Sequence, residues 1–458
     1  MGQRFPAGFL WGAATSSHQV EGNNRLNDWW AWEQTPGHIH DGSVSGMASD
    51  WWQRAEDDLA LAAELGHNAH RLSIEWSRLQ PTPDGWDPEP LARYRRLLER
   101  MHALGIEPLV TLHHFTLPVW LAERGGWRNA RIVALFVRYA ERVVEALGEQ
   151  CTLWCTINEP MVQLVYGMLF KVWPPGKGGP LGVMQGLRHM VRAHAASYSR
   201  IHALQPDARV GFAKHVHLFD AADPSRWQDR LAAGAFDALF NTRPLRVLAR
   251  GCHPERMQRV HSGQCGRPGV HRQRLAGHIT SGQRPPRYLD WIGLNYYSRS
   301  MVRCGLRYRN PWLLQRFVSP DAPYSMDGWG EIYPEGLERS LRRMGDLGVP
   351  VHVTEFGVPD NSDAQRPQFI VDHVAAMERA LAAGVDLRGS FFWSLVDNFE
   401  WAEGWAARFG LIGVDPETQG RTVRDSAEVY RRIACANGDL QAAGLVGDWQ
   451  ARQKGETL

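Results

Sequence analysis

The chain has 458 residues, with 51 Lys and Arg against 49 Asp and Glu, so its formal net charge is only +2. Such a balance excludes the strong global field that draws nucleic acid or acidic partners to a basic protein. A hydrophobic share of 44% suffices for a large core, and the length is compatible with one domain because α/β barrels commonly form long single domains.

The N-terminal part of the chain gives no sign of export or membrane insertion. The apolar stretch at 8–14 is too short for a signal peptide and lacks a convincing cleavage site. No stretch reaches the roughly 18 apolar residues that a membrane helix needs. We therefore expect a cytoplasmic protein without a membrane partner.

A helix, a glycine and a short apolar strand follow one another repeatedly along the chain. The segment 55–65 has helical spacing, Gly66 can close it in a left-handed cap, and a strand is predicted at 72–74. Three later segments repeat this order, at 91–112, 337–354 and 369–393. Helices that alternate with short apolar strands predict a parallel sheet covered on both faces.

Further apolar runs bring the number of predicted strands to eight. They lie at 9–14, 72–74, 108–112, 153–157, 210–212, 291–294, 349–354 and 390–393. Eight parallel strands favour a single (β/α)8 barrel of the TIM-barrel type, with an open doubly wound sheet as the alternative. Since no linker divides the chain, we expect one barrel domain over 1–445 and a C-terminal tail over 446–458.

One segment, 252–287, departs from this regular pattern. It is rich in Arg, His, Gly and Gln and has neither helical nor strand periodicity. A segment that cannot bury an apolar face adds little to a core. We expect loop structure or high mobility in roughly 257–284 and a regular strand starting near Tyr288.

Polar and aromatic residues gather where the predicted strands end. In a parallel barrel these carboxyl ends meet at one mouth, where catalytic residues lie. The residues concerned are His114, Asn158, Glu159, Asn295, Tyr297, Glu355, Trp393, Glu400 and Trp401. Such a set is typical of sugar hydrolysis, in which one carboxyl protonates the leaving oxygen and another attacks the anomeric carbon.

Simpler interpretations exist for individual residues. Glu159 alone could cap the following segment, and Glu355 alone could pair with an Arg on the surface. Glu75 also follows a strand, but no constellation is predicted around it. His113 and His114 are adjacent and point to opposite faces, so both cannot line one site.

Metal binding is not indicated by the sequence. The six cysteines are Cys151, Cys155, Cys252, Cys265, Cys304 and Cys435. Their spacing contains no matching pairs, which favours buried free thiols over a zinc site. His215 and His217 lack a carboxylate or Cys partner in the sequence, so a packing or surface role is favoured over metal ligation.

Five motifs together resemble glycoside hydrolase family 1, the β-glucosidase family, from about residue 5 to about residue 430. They are FLWGAATSSHQVEG at 9–22, TINEP at 156–160, NYY at 295–297, VTEFG at 353–357 and WSLVDNFEW at 393–401. Each motif alone is moderately specific. Their common order and their positions at strand ends make the resemblance highly specific.

The resemblance implies retaining hydrolysis of β-glucosides, and also of β-galactosides or β-fucosides. Glu159 would be the acid/base and Glu355 the nucleophile, with the two carboxyls about 5–5.5 Å apart. The substrate-binding residues would be Gln19, His114, Asn158, Tyr297, Trp393, Glu400 and Trp401, supported by Arg71, Asn295 and Trp329. The expected partner is a small glycoside or oligosaccharide, and no metal or cofactor is expected.

The chain also departs from the family pattern. Phe356 stands where Asn is usual and could alter how Glu355 is held, and Phe115 and Thr116 replace a frequent Trp-Asp pair near the sugar pocket. Glu400, where relatives acting on 6-phosphorylated sugars have Ser, favours a neutral sugar. A non-catalytic sugar-binding barrel and a transglycosylase remain as alternatives, and a homo-oligomer remains open.

Overall fold

The computed structural model describes residues 5–250, 288–305, 314–319, 322–325 and 329–445. Within these residues eight parallel strands close into a barrel, and the last strand pairs with the first. The strands are β1 (Leu10–Ala14), β2 (Ala69–Ser73), β3 (Glu107–Thr111), β4 (Leu153–Asn158), β5 (Arg209–His215), β6 (Trp291–Tyr296), β7 (Val351–Phe356) and β8 (Leu387–Trp393). The predicted (β/α)8 barrel is confirmed, and the open doubly wound sheet is excluded.

Long helices alternate with the strands and cover the outside of the barrel. They span Trp51–Glu64, Pro88–Ala103, Ile132–Leu147, Gly179–Leu204, Trp227–Asp237, Arg243–Arg250, Pro334–Gly345, Arg366–Ala382 and Asp425–Cys435. The four helices predicted from periodicity are present, but each begins three or four residues before its apolar pattern. Three of them have Pro in the first turn, which starts a helix without adding to the apolar stripe. Gly66, the predicted cap, has a φ of +73°.

Shorter elements fill the connections after the strands. Short helices span Ser17–Val20, Asp28–Glu33, Trp76–Leu79, Val119–Glu123 and Pro160–Leu164, with π-helical turns at Val165–Phe170 and Ala238–Thr242 and 3₁₀ turns at Gly126–Arg128 and Trp401–Glu403. A small sheet joins Leu218–Ala221, Arg299–Cys304 and Leu314–Phe317, and a hairpin joins Ile412–Val414 to Arg421–Val423. These connections supply the residues around the barrel mouth.

Two apolar layers hold the barrel together. In the larger layer, between strands and helices, Phe136, Tyr139 and Val143 lie on one face of their helix at intervals of three and four residues. The smaller layer includes Trp291. A Cβ added at Gly211 would lie 2.5 Å from the Trp291 ring, so glycine is required there for the indole to fit. The packed barrel gives the polar strand ends a rigid support.

Several predictions concern residues that the structure does not describe. The irregular stretch 257–284 and the tail 446–458 both lie outside the described residues. After the first of these gaps, regular pairing begins at Trp291, close to the predicted start. In the described ranges, no helix has the length and hydropathy needed to cross a membrane. The domain boundary at 445 and the cytoplasmic location stay predictions.

The cysteines match the expectation of buried thiols only in part. Cys151 and Cys155 are buried and free, whereas Cys304 is partly buried and Cys435 is exposed. The prediction was wrong for Cys435, because it ends the last helix at the surface. The two remaining cysteines lie outside the described residues.

Candidate active site

Glu355 is held on both of its carboxyl oxygens. It stands near the end of β7, where Arg71 Nη1 from β2 donates to Oε1 at 2.5 Å and Tyr297 Oη, just beyond β6, donates to Oε2 at 2.7 Å. Glu355 is 4% exposed, so little solvent screens these bonds. The predicted contacts of Arg71 and Tyr297 with Glu355 are therefore present, and pairing with a surface Arg is excluded.

Arg71 ties this carboxyl to the neighbouring strands. Its Nη2 donates to Asn158 Oδ1 at 2.7 Å, its Nη1 also reaches the Thr354 carbonyl at 3.1 Å, and its Nε donates to Thr111 Oγ1 at 3.1 Å. All three guanidinium nitrogens are bonded, which fixes the plane of the group. Arg71 therefore acts as a rigid link from Glu355 to the end of β4.

Asn295 completes the link to the second carboxyl. Its Nδ2 donates to Asn158 Oδ1 at 3.0 Å and to Glu159 Oε1 at 2.7 Å. Its own Oδ1 accepts a hydrogen bond of 2.6 Å from Thr354 Oγ1, which fixes the orientation of the amide. A continuous polar chain thus runs from Glu355 through Arg71, Asn158 and Asn295 to Glu159.

Glu159 does not cap the helix that follows it. The residue has a left-handed backbone, with a φ of +44°, immediately before Pro160, and its side chain makes no capping hydrogen bond. The carboxyl is turned inward instead and is 6% exposed. The capping interpretation is therefore wrong, because the carboxyl bonds to Asn295 rather than to the helix.

His215 is a neighbour of Glu159 that the sequence did not predict. Its Nδ1 lies 3.4 Å from Glu159 Oε1, and both side chains are largely buried. The packing role expected for His215 is present, because its ring lies 5.9 Å from that of Phe240 and 6.0 Å from that of Tyr297 between centroids, but the expected lack of a carboxylate neighbour was wrong. His217 has a different partner, because its Nε2 lies 2.8 Å from Ser300 Oγ.

The two carboxyls influence each other's ionisation. Burial raises the pKa of Glu355 to about 7, with the charge of Glu159 adding to the rise and Arg71 and Tyr297 opposing it. Burial also works to raise the pKa of Glu159, but a protonated His215 and the Asn295 amide outweigh it and hold that pKa below its usual range. Two such carboxyls resist carrying negative charge at the same time.

Glu400 accepts several hydrogen bonds on one oxygen. Oε2 accepts from Gln19 Nε2 at 3.0 Å, from Asn398 Nδ2 at 2.6 Å and from Trp393 Nε1 at 3.4 Å. Among the described residues none donates to Oε1, which leaves that oxygen available to sugar hydroxyls. Asn398 was not singled out from the sequence, although it lies in the same motif as Glu400. Burial raises the pKa of Glu400 to about 8.

His114 presents a donor beside the aromatic residues. Its Nε2 accepts from Asn158 Nδ2 at 3.1 Å, and burial, with the charge of Arg71, holds its pKa well below the usual range. A neutral ring with Nε2 as acceptor carries its proton on Nδ1, and this buried atom has no hydrogen-bond partner in the described part of the chain. The ring stacks on Trp393 at 5.9 Å and on Trp401 at 6.1 Å between centroids.

His113 takes the opposite direction, as predicted for adjacent residues. Its Nε2 lies 2.8 Å from Gln163 Oε1, within the surrounding protein. Phe115, which replaces the usual Trp, has a φ of +72° and packs against Trp401 with the ring centroids 5.2 Å apart. The replacement therefore lies directly behind a residue expected to contact sugar.

Phe356 does not take part in holding Glu355. Its ring packs in the outer layer against Phe369 and Phe392, with centroids 6.2 and 5.3 Å away. Adjacent strand residues point to opposite faces, so Phe356 turns outward where Glu355 turns inward. The expected effect on Glu355 does not arise through direct contact.

Trp329 lies at the rim of the mouth. It is 37% exposed, and its ring is 6.5 Å from that of Tyr297 and 5.1 Å from that of Phe409. This position is compatible with the border of a leaving-group site, which stays a prediction.

Glu75 lies in a polar network that the sequence analysis did not predict. Its Oε2 accepts from Ser17 Oγ at 3.1 Å and from Thr116 Oγ1 at 3.0 Å, and its Oε1 accepts from Ser77 Oγ at 2.6 Å. The carboxyl is fully buried and joins three segments of the chain. The expectation of no constellation was wrong, since two of these hydroxyls come from distant segments.

Metal ligation finds no support in the described ranges. They contain no group of three or more His, Cys, Asp or Glu residues placed to hold a metal ion. The polar groups at the mouth form hydrogen bonds among carboxyl, amide and guanidinium groups of the protein.

Comparison with known proteins points to one family. The sequence profile of Glycosyl hydrolase family 1 matches residues 1–439. Beta-glucosidase A of Thermotoga maritima is 32% identical over 95% of this chain and 99% of its own length. A bifunctional beta-D-glucosidase/beta-D-fucosidase of Bifidobacterium breve is 34% identical over 94% of this chain and 98% of its own length. The structure of the Thermotoga maritima beta-glucosidase in complex with castanospermine superposes with a TM-score of 0.82 at 31% identity. The superposition covers 95% of this chain and 99% of that chain.

Proposed function

The chain belongs to glycosyl hydrolase family 1, and from this premise we propose that it hydrolyses β-linked glycosides with retention, through a covalent glycosyl-enzyme. Glu355 is the proposed nucleophile and Glu159 the proposed acid/base. The observation that carries the proposal is the polar chain that joins these two buried carboxyls through Arg71, Asn158 and Asn295.

In the first step, Glu355 attacks the anomeric carbon while Glu159 gives its proton to the glycosidic oxygen. The bond from the anomeric carbon to that oxygen breaks, and an ester forms at Glu355. The positive charge that develops on the sugar is stabilised by the carboxylate. Arg71 and Tyr297 hold both oxygens of Glu355, so little reorientation is needed before attack.

In the second step, Glu159 acts as a base. Once Glu355 is esterified its charge is gone, and ionisation of Glu159 becomes easier. Glu159 removes a proton from water, the water oxygen attacks the anomeric carbon, and the ester bond breaks to regenerate Glu355. Two inversions at the same carbon give net retention.

The proposed substrates are neutral β-glycosides, above all β-glucosides and also β-galactosides or β-fucosides. Glu400 Oε1, which no described residue bonds, and the His114 Nδ1 proton are both available for hydrogen bonds with sugar hydroxyls. Trp393 and Trp401 supply flat apolar surfaces beside them. The relatives named as a glucosidase and as a glucosidase/fucosidase support glucosides and fucosides within this range.

The test is the stereochemistry of the product. Hydrolysis of an aryl β-glucoside is followed by proton NMR within the first minutes, before mutarotation. We expect the β-anomer of the sugar to appear first. An initial α-anomer would contradict the proposed mechanism, and no turnover on a panel of aryl β-glycosides would favour a sugar-binding barrel.

A further inference from the structure

His215, the last residue of β5, lies against Glu159 inside the mouth of the barrel. Its Nδ1 is 3.4 Å from Glu159 Oε1, with the side chains of His215 and Glu159 only 12% and 7% exposed. In the described part of the chain this nitrogen has no partner with hydrogen-bond geometry, so its approach to Glu159 is a close contact between a ring nitrogen and a carboxyl oxygen. Glu159 is therefore the carboxyl that the His215 ring contacts.

Aromatic rings fix the imidazole in this place. The rings of Phe240, Tyr297 and His217 lie 5.9, 6.0 and 6.0 Å away between centroids. They come from a π-helical turn after β5, the loop after β6 and the residues just beyond the end of β5. With neighbours on several sides, the imidazole cannot swing away from Glu159 without displacing packed rings.

Other charged and titratable groups lie around His215 and Glu159. Burial lowers the pKa of Lys214 to about 7, and the Lys214 ammonium also lies over the Phe240 ring. The charge of Glu159 works to raise the pKa of Lys214, Arg343 lowers it and Asp237 raises it, so Lys214 is a second group whose charge favours an ionised Glu159. Burial, the charge of His215 and that of Arg316 hold the pKa of His217 well below its usual range. Tyr297 keeps its proton, because burial and Glu355 raise its pKa well above the usual range.

Whether Glu355 or Glu159 carries the negative charge depends on the groups that contact each carboxyl. Arg71 and Tyr297 favour an ionised Glu355, the arrangement needed for nucleophilic attack. A protonated His215, or a neutral one donating from Nδ1, favours an ionised Glu159 instead. An ionised Glu159 has no proton to give to the leaving group, so His215 opposes the acid role and assists the later base role.

We propose that His215 is a positioning residue that controls which of the two carboxyls carries the proton, and so sets the pH range in which Glu159 can act as an acid. This inference rests on the proposed function, because it takes Glu159 to be the acid/base. Because His215 favours the ionised form of Glu159, a smaller fraction of Glu159 is protonated and able to act as general acid, and a larger fraction is ionised and able to act as general base.

The experiment measures kcat/KM against pH on phenyl β-D-glucoside, whose poor leaving group needs the acid. His215→Phe removes the charge and the donor but keeps a ring between Phe240 and Tyr297. His215→Asn keeps a donor without a charge. His217→Phe is the matched control, since it removes a neighbouring imidazole that does not contact Glu159.

We expect the alkaline limb of the profile to move up by about one pH unit in His215→Phe and by less in His215→Asn. The limb should stay in place in His217→Phe. If His215→Phe does not fold, His215→Asn carries the test. An unmoved limb in the His215 variants, or an equal movement in the control, would overturn the inference.

Glu159→Gln separates this inference from the proposed function. If that variant loses the alkaline limb while the His215 variants keep it at the wild-type pH, only the role of His215 is wrong. If Glu159→Gln itself keeps the wild-type limb, Glu159 is not the acid, and the proposed function and the inference fail together.

Discussion

Arg71 and Glu355 form a buried ion pair in which Nη1 and Oε1 are 2.5 Å apart and the side chains are only 1% and 5% exposed. Removing one partner of a buried pair leaves the other charge uncompensated, at a cost of about 3–5 kcal/mol. Because Arg71 also bonds to Asn158, a change at this residue affects the orientation of the Glu355 carboxyl and of the Asn158 amide together.

Arg71→Lys should lower kcat about 100-fold and change KM little. Lysine keeps the charge but cannot bond Glu355, Asn158 and Thr111 at once, so Glu355 loses its fixed orientation. Steady-state kinetics on an aryl β-glucoside would measure the effect. Arg78→Lys is the control, because Arg78 pairs with Glu21 and makes no contact with either carboxyl of the site; a similar loss of kcat there would contradict the assignment.

Glu355→Gly should abolish hydrolysis, and azide or formate should restore turnover. Removal of the carboxylate leaves a space beside the cationic Arg71 and the Tyr297 hydroxyl, which suits a small anion. Azide attack from this side would give an α-glycosyl azide, identified by NMR. A β-glycosyl azide, or no rescue at any azide concentration, would count against Glu355 as nucleophile.

Glu159→Ala should discriminate between leaving groups. An activated dinitrophenolate departs without a proton, whereas phenol or an alcohol needs one. We expect kcat/KM to fall by about 1000-fold or more for phenyl β-glucoside and by far less for the dinitrophenyl substrate. Equal losses on both substrates would show that Glu159 does not act as the acid.

Glu400→Gln should stabilise the protein in alkaline but not in acidic solution, while weakening sugar binding. Burial raises the pKa of Glu400 to about 8, so the folded chain keeps a proton there that the unfolded chain loses near pH 4.5. The free energy of unfolding therefore falls as pH rises from about 4.5 to about 8, and Gln removes this loss of up to about 5 kcal/mol.

Thermal melts between pH 5 and pH 9 would measure that difference. The gap in Tm between the Glu400→Gln variant and the wild type should grow up to about pH 8 and then stay level. Glu417→Gln, at an exposed position, is the control and should show no such growth. A gap that is the same at pH 5 and pH 9 would refute the prediction.

Glu75→Ala should lower stability rather than catalysis. Three hydroxyls, of Ser17, Ser77 and Thr116, lose their shared acceptor in a buried place, at a cost of about 3 kcal/mol. Calorimetry should show a lower Tm, with kcat/KM of the folded enzyme reduced only a few-fold. A loss of activity as large as that of Glu159→Ala would mean that the site is incomplete as assigned.

The bounds of the strands could be predicted where their residues are apolar. They were predicted less well where polar residues interrupt the apolar run. β2 was expected at 72–74 but spans Ala69–Ser73, because His70 and Arg71 interrupt its apolar run. β5 was expected at 210–212 but extends to His215. The shortened prediction removed His215 from a strand end, which is why its contact with Glu159 was missed.

The positions of the two carboxyls and of most polar and aromatic residues around them could be predicted, because each follows an apolar strand in a recognisable motif. The links between them could not. One amide nitrogen of Asn295 bonds both Asn158 and Glu159, and this depends on the alignment of β4 with β6 across the barrel rather than on local sequence. The same holds for the contact of His215 with Glu159.

The hydrogen bond between Gln19 and Glu400 joins residues that are 381 positions apart, across the same seam where β1 pairs with β8. During translation, this half of the sugar pocket cannot form until the segment carrying Glu400 has been synthesised and has closed the seam. A nascent or proteolytically shortened chain that ends before β8 would contain both carboxyls but no Glu400. Glycosidase activity in a cell extract would therefore report chains that have completed barrel closure.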